Sequence, residues 1–159
     1  MKKWLDGRYH LTSLEEMERF AKWEKSNLDK YIIKTDRLYT TTHEWMKKEG
    51  DVWLYGITGY ASVEMGELAF VEFPDVGDKF PKGEPTLTIE ALKTVEDSYA
   101  PFDCEVVEVN EPLEDDANII HEDPYEEGWL LKLVPTGSEE GLISPEEYAD
   151  IVKKEIEVH

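Results

Sequence analysis

A single lysine stands in a strongly acidic part of the chain, and its amine is a candidate for covalent chemistry. Residues 90–127 contain fourteen aspartates and glutamates but one basic residue, Lys93. A lone surface ion pair stabilises a protein little, whereas an exposed amine can be a substrate for a lysine-modifying enzyme. From these residues alone two interpretations remain open: an ordinary surface lysine, or a lysine kept for chemistry on its amine.

The segments on either side of Lys93 predict that it lies at the tip of a β-hairpin. Residues 86–91 alternate polar and apolar side chains, which is typical of a half-buried strand. A turn and a second extended segment, ending near Pro101, follow the lysine. We therefore expect the Lys93 amine to be exposed and within reach of another protein's active site.

The uneven distribution of charge excludes several classes of partner. The 159 residues carry a formal net charge of −20. Residues 1–40 have nine basic and seven acidic side chains, so residues 41–159 carry −22. Duplex nucleic acid and anionic membrane surfaces are polyanions, and we expect neither as a partner. The sequence has no run of 18 apolar residues to span a bilayer, and residues 1–8 lack the apolar stretch of a signal peptide, so a cytoplasmic protein is expected.

Few residues in this sequence suit catalysis or metal binding. Nucleotide-binding glycine loops, nucleophile elbows and H-E-x-x-H motifs are absent, so we do not expect an enzyme. One cysteine, Cys104, excludes an intrachain disulfide and a multi-cysteine metal site. A small buried hydrophobic role is favoured for Cys104 over an auxiliary thiol near Lys93. His43 and Glu44 are a conceivable ligand pair, but a solvent-exposed or hydrogen-bonded histidine is favoured, and no metal site is expected.

The periodicity along the chain predicts a mainly β protein with peripheral helices. A capping box at Ser13 starts an amphipathic helix over residues 14–28. Thr58 is expected to cap a short helix ending at Gly66, and Ser144 to cap a C-terminal helix. Strands are predicted over residues 31–33, 37–41, 52–57, 67–73, 86–91, 104–109 and 128–134. Short strands with regular turns favour a small sandwich or barrel. We expect an N-terminal helical extension (residues 1–35) and a β domain with a C-terminal helix (residues 36–159).

An ordered set of short motifs extends this interpretation. The motifs are residues 39–45 (YTTTHEW), 56–61 (GITGYA), 68–74 (LAFVEFP), 76–78 (VGD), 90–93 (EALK), 105–110 (EVVEVN), 123–130 (DPYEEGWL) and 144–148 (SPEEY). Their order and spacing resemble the H protein of the glycine cleavage system, from residue 39 to about 152. Each motif is weak alone, but the ordered set is specific.

The resemblance implies a lipoyl-domain-like hybrid barrel or sandwich with lipoate amide-linked to Lys93. Such a protein is a carrier and not an enzyme: its swinging arm takes up an aminomethyl group during glycine decarboxylation and delivers it to a folate-dependent transferase. The implied partners are a lipoate ligase or a lipoyl/octanoyl transferase, glycine decarboxylase, aminomethyltransferase and dihydrolipoamide dehydrogenase. The family holds the loaded arm in a cleft, whose matching positions here are Thr42, Glu44, Glu64 and Asp97.

The attachment segment departs from the family pattern, which leaves alternatives open. Glu90–Thr94 reads EALKT where the family usually has ESVKA, and Glu96 replaces a small residue. Cys104 stands where a glycine is usual. A related family shares the fold and the lipoylation: the lipoate-binding carriers of sulfur species, which serve a heterodisulfide-reductase-like complex. A non-lipoylated binding module is the third alternative.

Overall fold

The computed structural model describes residues 2–5, 8–11 and 33–158. In the N-terminal segment, strands β1 (Lys2–Leu5) and β2 (Arg8–Leu11) pair antiparallel, which the sequence patterns did not predict. The helix predicted over residues 14–28 lies outside the described residues. Of the strand predicted over residues 31–33 only Ile33 is described, and it is not in a strand. The division into residues 1–35 and 36–159 stays a prediction.

Two antiparallel sheets form the body of the protein, as predicted for a mainly β fold. One sheet contains β3 (Leu38–Tyr39), β4 (Glu44–Glu49), β5 (Val52–Ile57), β7 (Lys79–Phe80), β10 (Cys104–Val109) and β11 (Leu131–Pro135), and the other contains β6 (Leu68–Glu72), β8 (Pro85–Ala91) and β9 (Val95–Tyr99). Their orders are β3-β4-β5-β11-β10-β7 and β6-β8-β9. The second sheet carries the predicted attachment hairpin.

The strand predictions for residues 52–57 and 104–109 are confirmed, whereas those for residues 37–41, 67–73 and 128–134 began too early or ended too late. Residues 37–41 hold only the short strand β3, because the chain turns after Tyr39 and Thr40 N donates to Glu44 O at 2.9 Å. Residues 128–130 precede β11, since the Asn110 side chain bonds the carbonyls of Glu127 and Trp129 at 2.8 and 2.7 Å. A side chain thus takes the place of a strand partner there.

Successive side chains along β4 point to opposite faces of the sheet and enter two different apolar clusters. Met46 points into the main core between the sheets, which also holds Ile57 of β5 and Ile89 of β8. Trp45 points to the other side, into a second cluster with Tyr148. Trp45 is paired with Gly56, where an added Cβ would lie 2.6 Å from the indole ring, so a glycine is required at that position.

Four helices lie around the sheets within the described residues: α1 (Gly59–Met65), α2 (Pro112–Asp115), α3 (Asn118–Glu122) and α4 (Pro145–Val158). The predicted caps are confirmed: Thr58 Oγ1 accepts from Ala61 N at 3.3 Å, and Gly66 ends α1. Ser144 and Glu147 exchange two capping-box hydrogen bonds of 3.1 and 3.2 Å. In the described parts of the chain, no helix has the length and apolarity needed to cross a bilayer.

The C-terminal helix α4 packs against the strands that lead into the cleft described below. The ring of Tyr148 stacks on the ring of Tyr39 with centroids 4.6 Å apart and planes 5° apart. Ala149 and Val152 are buried in the same cluster, as expected for the apolar stripe of an amphipathic helix. These contacts hold the first half of α4 against β3.

Candidate functional site

Lys93 lies in the turn between β8 and β9, at the exposed tip of the predicted hairpin. The turn is closed by a hydrogen bond from Ala91 N to Thr94 O at 2.8 Å, and Leu92 N donates to Glu67 O at 3.1 Å. These backbone bonds on both sides of the lysine hold the turn against the sheet. The local alternation of residues 86–91 therefore predicted the position of the amine correctly.

A cleft of about 550 Å³ opens beside this hairpin. Its apolar floor includes Ile57, Met65 and Ile89. Its polar walls come from four parts of the chain: the start of β4, helix α1, strand β9 and the end of helix α4. They contribute Thr42, His43, Glu44, Tyr60, Glu64, Glu96, Asp97, Ser98, Lys154 and Glu155. The structure thus brings together all four residues assigned to the arm cleft from the sequence (Thr42, Glu44, Glu64 and Asp97), with Lys93 on the adjoining turn.

Glu44 is the buried carboxylate of this cleft, with 1% of its surface exposed. Its Oε1 accepts hydrogen bonds from the hydroxyls of Thr40 at 2.6 Å and Thr42 at 2.5 Å. Burial raises the pKa of Glu44 from its ordinary 4.5 to about 7, although these bonds and one from the Tyr99 backbone act in the opposite direction. The side chain can therefore gain or lose a proton near neutral pH.

Asp97 and Glu64, the other two carboxylates predicted for the cleft, are exposed, unlike Glu44. Asp97 accepts a hydrogen bond of 2.9 Å from the hydroxyl of Thr88 on the neighbouring strand. Glu64 lies in the last turn of α1. Two further carboxylates line the cleft, Glu96 and Glu155, with Lys154 as the one ammonium among the described lining residues. A cleft with an apolar floor and acidic walls suits an apolar chain that ends in a cationic group.

His43 links the cleft to helix α4, a role that the sequence patterns did not reveal. Its Nδ1 is 2.8 Å from the Tyr148 hydroxyl, and its Nε2 is 3.0 Å from a carboxylate oxygen of Glu155. The Tyr148 hydroxyl also bonds Thr58 Oγ1 at 2.6 Å, which joins the helix to the cap of α1. Tyr148 and Glu155 are seven residues apart, so they lie on one face of α4. The seven-residue spacing could have predicted that Tyr148 and Glu155 share a helix face. No pattern near His43 in the sequence predicted that it contacts them.

The surroundings of His43 and Cys104 bear on two alternative roles: metal binding for His43 and an auxiliary thiol for Cys104. Both ring nitrogens of His43 have hydrogen-bonding partners, and residues 33–156 contain no group of three or more potential ligands that could hold a metal ion. Cys104 is fully buried in the main core, and burial raises the pKa of its thiol to about 12. A buried, protonated thiol is unreactive, so Cys104 acts as a small core residue.

The fold and the cleft define a small β domain in which an exposed hairpin lysine, Lys93, adjoins a cleft, and comparisons with known proteins give the family. The family model described as glycine cleavage H-protein matches residues 37–155. A glycine cleavage system H protein of Rubrobacter xylanophilus is 49% identical over 77% of this chain and 97% of its own length. One from Thermus thermophilus is 43% identical over 77% of this chain and 98% of its own length.

A solved structure supports the same assignment. The crystal structure of a glycine cleavage system H protein from Mycobacterium marinum is similar, with a TM-score of 0.69 and 40% identity, and the match covers 74% of this chain and 97% of that one. The chain therefore belongs to the glycine cleavage H-protein family. The lipoyl-domain-like fold expected from the motifs is confirmed.

Proposed function

We propose that this protein is a lipoyl carrier in which lipoate is amide-linked to Lys93, and that it shuttles an aminomethyl group between enzymes of glycine cleavage. The observation that carries the proposal is the exposed hairpin lysine beside a cleft with an apolar floor and a buried carboxylate. Family membership supports it, since relatives named as glycine cleavage system H proteins match over nearly their full length. The carrier itself catalyses nothing.

The residues of the hairpin and the cleft fit this group. Lys93 presents its amine at a turn held by backbone hydrogen bonds on both sides. Acylation joins the Lys93 nitrogen to the acyl carbon of an activated lipoyl or octanoyl donor, and the bond from that carbon to the leaving phosphate or thiol breaks. The ammonium loses two protons in total, one before the attack and one with the leaving group. The product amide is neutral, so the hairpin loses its positive charge.

The cleft residues then bind the loaded end of the arm. Ile57, Met65 and Ile89 provide an apolar surface for the alkyl chain. Attached lipoate would supply a disulfide, of which one sulfur takes up the one-carbon fragment while the S–S bond breaks and the other sulfur is reduced to a thiol; the protein supplies position and electrostatics. An aminomethyl ammonium close to Glu44 favours the ionised carboxylate and lowers the pKa of Glu44. Asp97 and Glu64 add negative charge at the exposed side of the same cleft.

The partners and the location follow from this proposal. The lipoate ligase or lipoyl/octanoyl transferase acts on Lys93 itself. Glycine decarboxylase, aminomethyltransferase and dihydrolipoamide dehydrogenase act on the arm. We propose a cytoplasmic location, where these enzymes would meet the carrier. The strong negative charge of residues 41–159 favours partners with basic surfaces around their active sites.

Intact-mass spectrometry tests the attachment directly. Purified carrier is incubated with a lipoate ligase, lipoate and ATP, and the expected result is one added lipoyl amide. Lys93→Arg keeps the charge and removes the acceptor amine, so its mass stays unchanged. Lys82→Arg alters another exposed lysine in a turn and is the matched control, which should gain the lipoyl group normally. An unmodified wild-type protein, under conditions in which a known carrier is fully modified, rejects the proposal.

Exchange of labelled bicarbonate with glycine tests the pathway. The fully lipoylated protein is combined with glycine decarboxylase, and we expect label to enter the glycine carboxyl group. Lipoylated Glu44→Gln should support less exchange, because the aminomethyl group loses its anionic neighbour. Full lipoylation without any exchange would exclude glycine cleavage and leave the sulfur-carrier alternative as the better explanation.

A further inference from the structure

The outward face of the β6-β8-β9 sheet carries apolar side chains beside Lys93. Phe70 on β6 is paired with Glu90 on β8, and Glu90 is paired with Val95 on β9, so the three form one row across the sheet. All three are exposed, with 45% of Phe70 and 62% of Val95 accessible. Leu92, in the turn just beyond this row, is 67% exposed. We call Phe70, Leu92 and Val95 the hairpin patch.

The hairpin patch is unusual within the described part of the molecule. Large hydrophobic side chains that are exposed there number six, and three of them belong to the patch. Single exposed hydrophobic residues are normal, whereas a group at one place marks an interaction surface. The Val71–Ile89–Glu96 row lies on the opposite side of the sheet, and Ile89 and Glu96 line the cleft. The patch therefore faces away from the cleft residues Ile89 and Glu96.

The surroundings of the patch specify the charge of its partner. Exposed carboxylates of Glu67, Glu72 and Glu90 lie in or next to β6 and β8. Lys93 is the one basic residue of β6, β8, β9 and the turn between β8 and β9. A complementary surface has an apolar pocket bordered by basic side chains. Such a partner would be attracted to the hairpin before modification and more strongly after it, because acylation removes the one positive charge.

The distance between an enzyme's active site and the Lys93 turn determines which partner must cover the patch. An active site that closes on the Lys93 amine must cover the side chains within two residues of it, including Leu92 and Val95. Enzymes that act on the far end of the arm meet no such requirement, since the arm carries the reacting atoms away from the turn. We propose that the hairpin patch is the docking surface of the acyl-transferring enzyme that modifies Lys93, which holds Phe70, Leu92 and Val95 in an apolar pocket with a basic rim. This inference rests on the proposed acylation of Lys93.

The test measures the rate of acylation against carrier concentration for purified lipoate ligase with lipoate and ATP. Val95→Thr keeps the shape and β-branching but adds a hydroxyl, and it is combined with Phe70→Ser. Val76→Thr is the matched control, because Val76 is also 62% exposed but lies outside the hairpin. Loss of apolar contacts at the centre of an interface predicts a fall in kcat/KM of ~10-fold or more for the double variant, mostly through KM. The control should stay within about twofold of the wild type.

The outcomes separate this inference from the proposed function. Wild-type kinetics in the double variant, with the wild type acylated normally, overturn the patch assignment and leave the carrier function standing. Failure of the wild type to be acylated overturns both. Circular dichroism of the double variant checks that the fold is unchanged. Size-exclusion chromatography tests whether the wild type self-associates through these residues. If it does, and if the double variant is acylated at the wild-type rate, the patch is a contact between copies and the inference is wrong.

Discussion

Replacing Glu44 with glutamine should change how the stability of this protein depends on pH. In the folded protein burial raises the pKa of Glu44 to about 7, against an ordinary value of 4.5. The folded state therefore holds a proton in a pH range where the unfolded chain has already released it. Stability is unaffected below pH 4.5 and falls as the pH rises towards and through 7, because ionisation of the buried carboxyl group is costly.

The size of this effect follows from the two pKa values. They differ by about 2.5, and each pKa unit corresponds to ~1.4 kcal/mol, so the full loss is about 3 kcal/mol. About 2 kcal/mol of it should develop between pH 5.5 and pH 8.5, a range above the sequence pI of about 4.4. Glu44→Gln keeps the shape and an acceptor oxygen for Thr40 and Thr42 but cannot ionise, so it does not show this loss.

Urea denaturation of the unmodified protein measures the effect. The free energy of unfolding of Glu44→Gln minus that of the wild type should rise by about 2 kcal/mol from pH 5.5 to pH 8.5. The difference removes the contribution of the many other carboxylates, which titrate equally in both proteins. A difference that is constant with pH would refute the conclusion that this carboxyl group is neutral when buried.

Three further predictions concern packing and reactivity. Gly56→Ala places a Cβ 2.6 Å from the Trp45 ring and should lower the free energy of unfolding by about 1–3 kcal/mol in urea titrations. Gly50→Ala meets no atom within 4 Å, so any loss of stability there comes from its φ of +64°, a conformation that Gly56 does not share. Tyr148→Phe removes a hydroxyl that bonds His43, and it should cost about 1–3 kcal/mol and speed amide exchange in α4; unchanged exchange would argue against the link. Cys104 should react with iodoacetamide at pH 8 only after unfolding, as followed by mass spectrometry; rapid labelling of the folded protein would contradict its burial.

The hairpin and the helix ends were predictable because local signals specify them. Thr58 and Ser144 accept the hydrogen bonds that their position before a helix requires. The run Cys104–Val109 is a strand with the predicted bounds, since its residues favour extended backbone. The predicted strand at residues 128–134 was too long, because Asn110, a residue from another part of the chain, bonds the backbone before Leu131. Periodicity does not reveal such a contact.

The sequence by itself determined that Lys93 stands at an exposed turn, and the ordered motifs determined the family. Turn position and strand alternation are properties of neighbouring residues, so they can be read along the chain. Only the tertiary structure decided the chemistry around that lysine. The sequence marked Glu44 as a cleft residue, but its raised pKa comes from burial between segments far apart in sequence. His43 meets Glu155, 112 residues away, for the same reason. Burial and long-range contact depend on which elements pack together, and that packing sets the charge and proton affinity of the site.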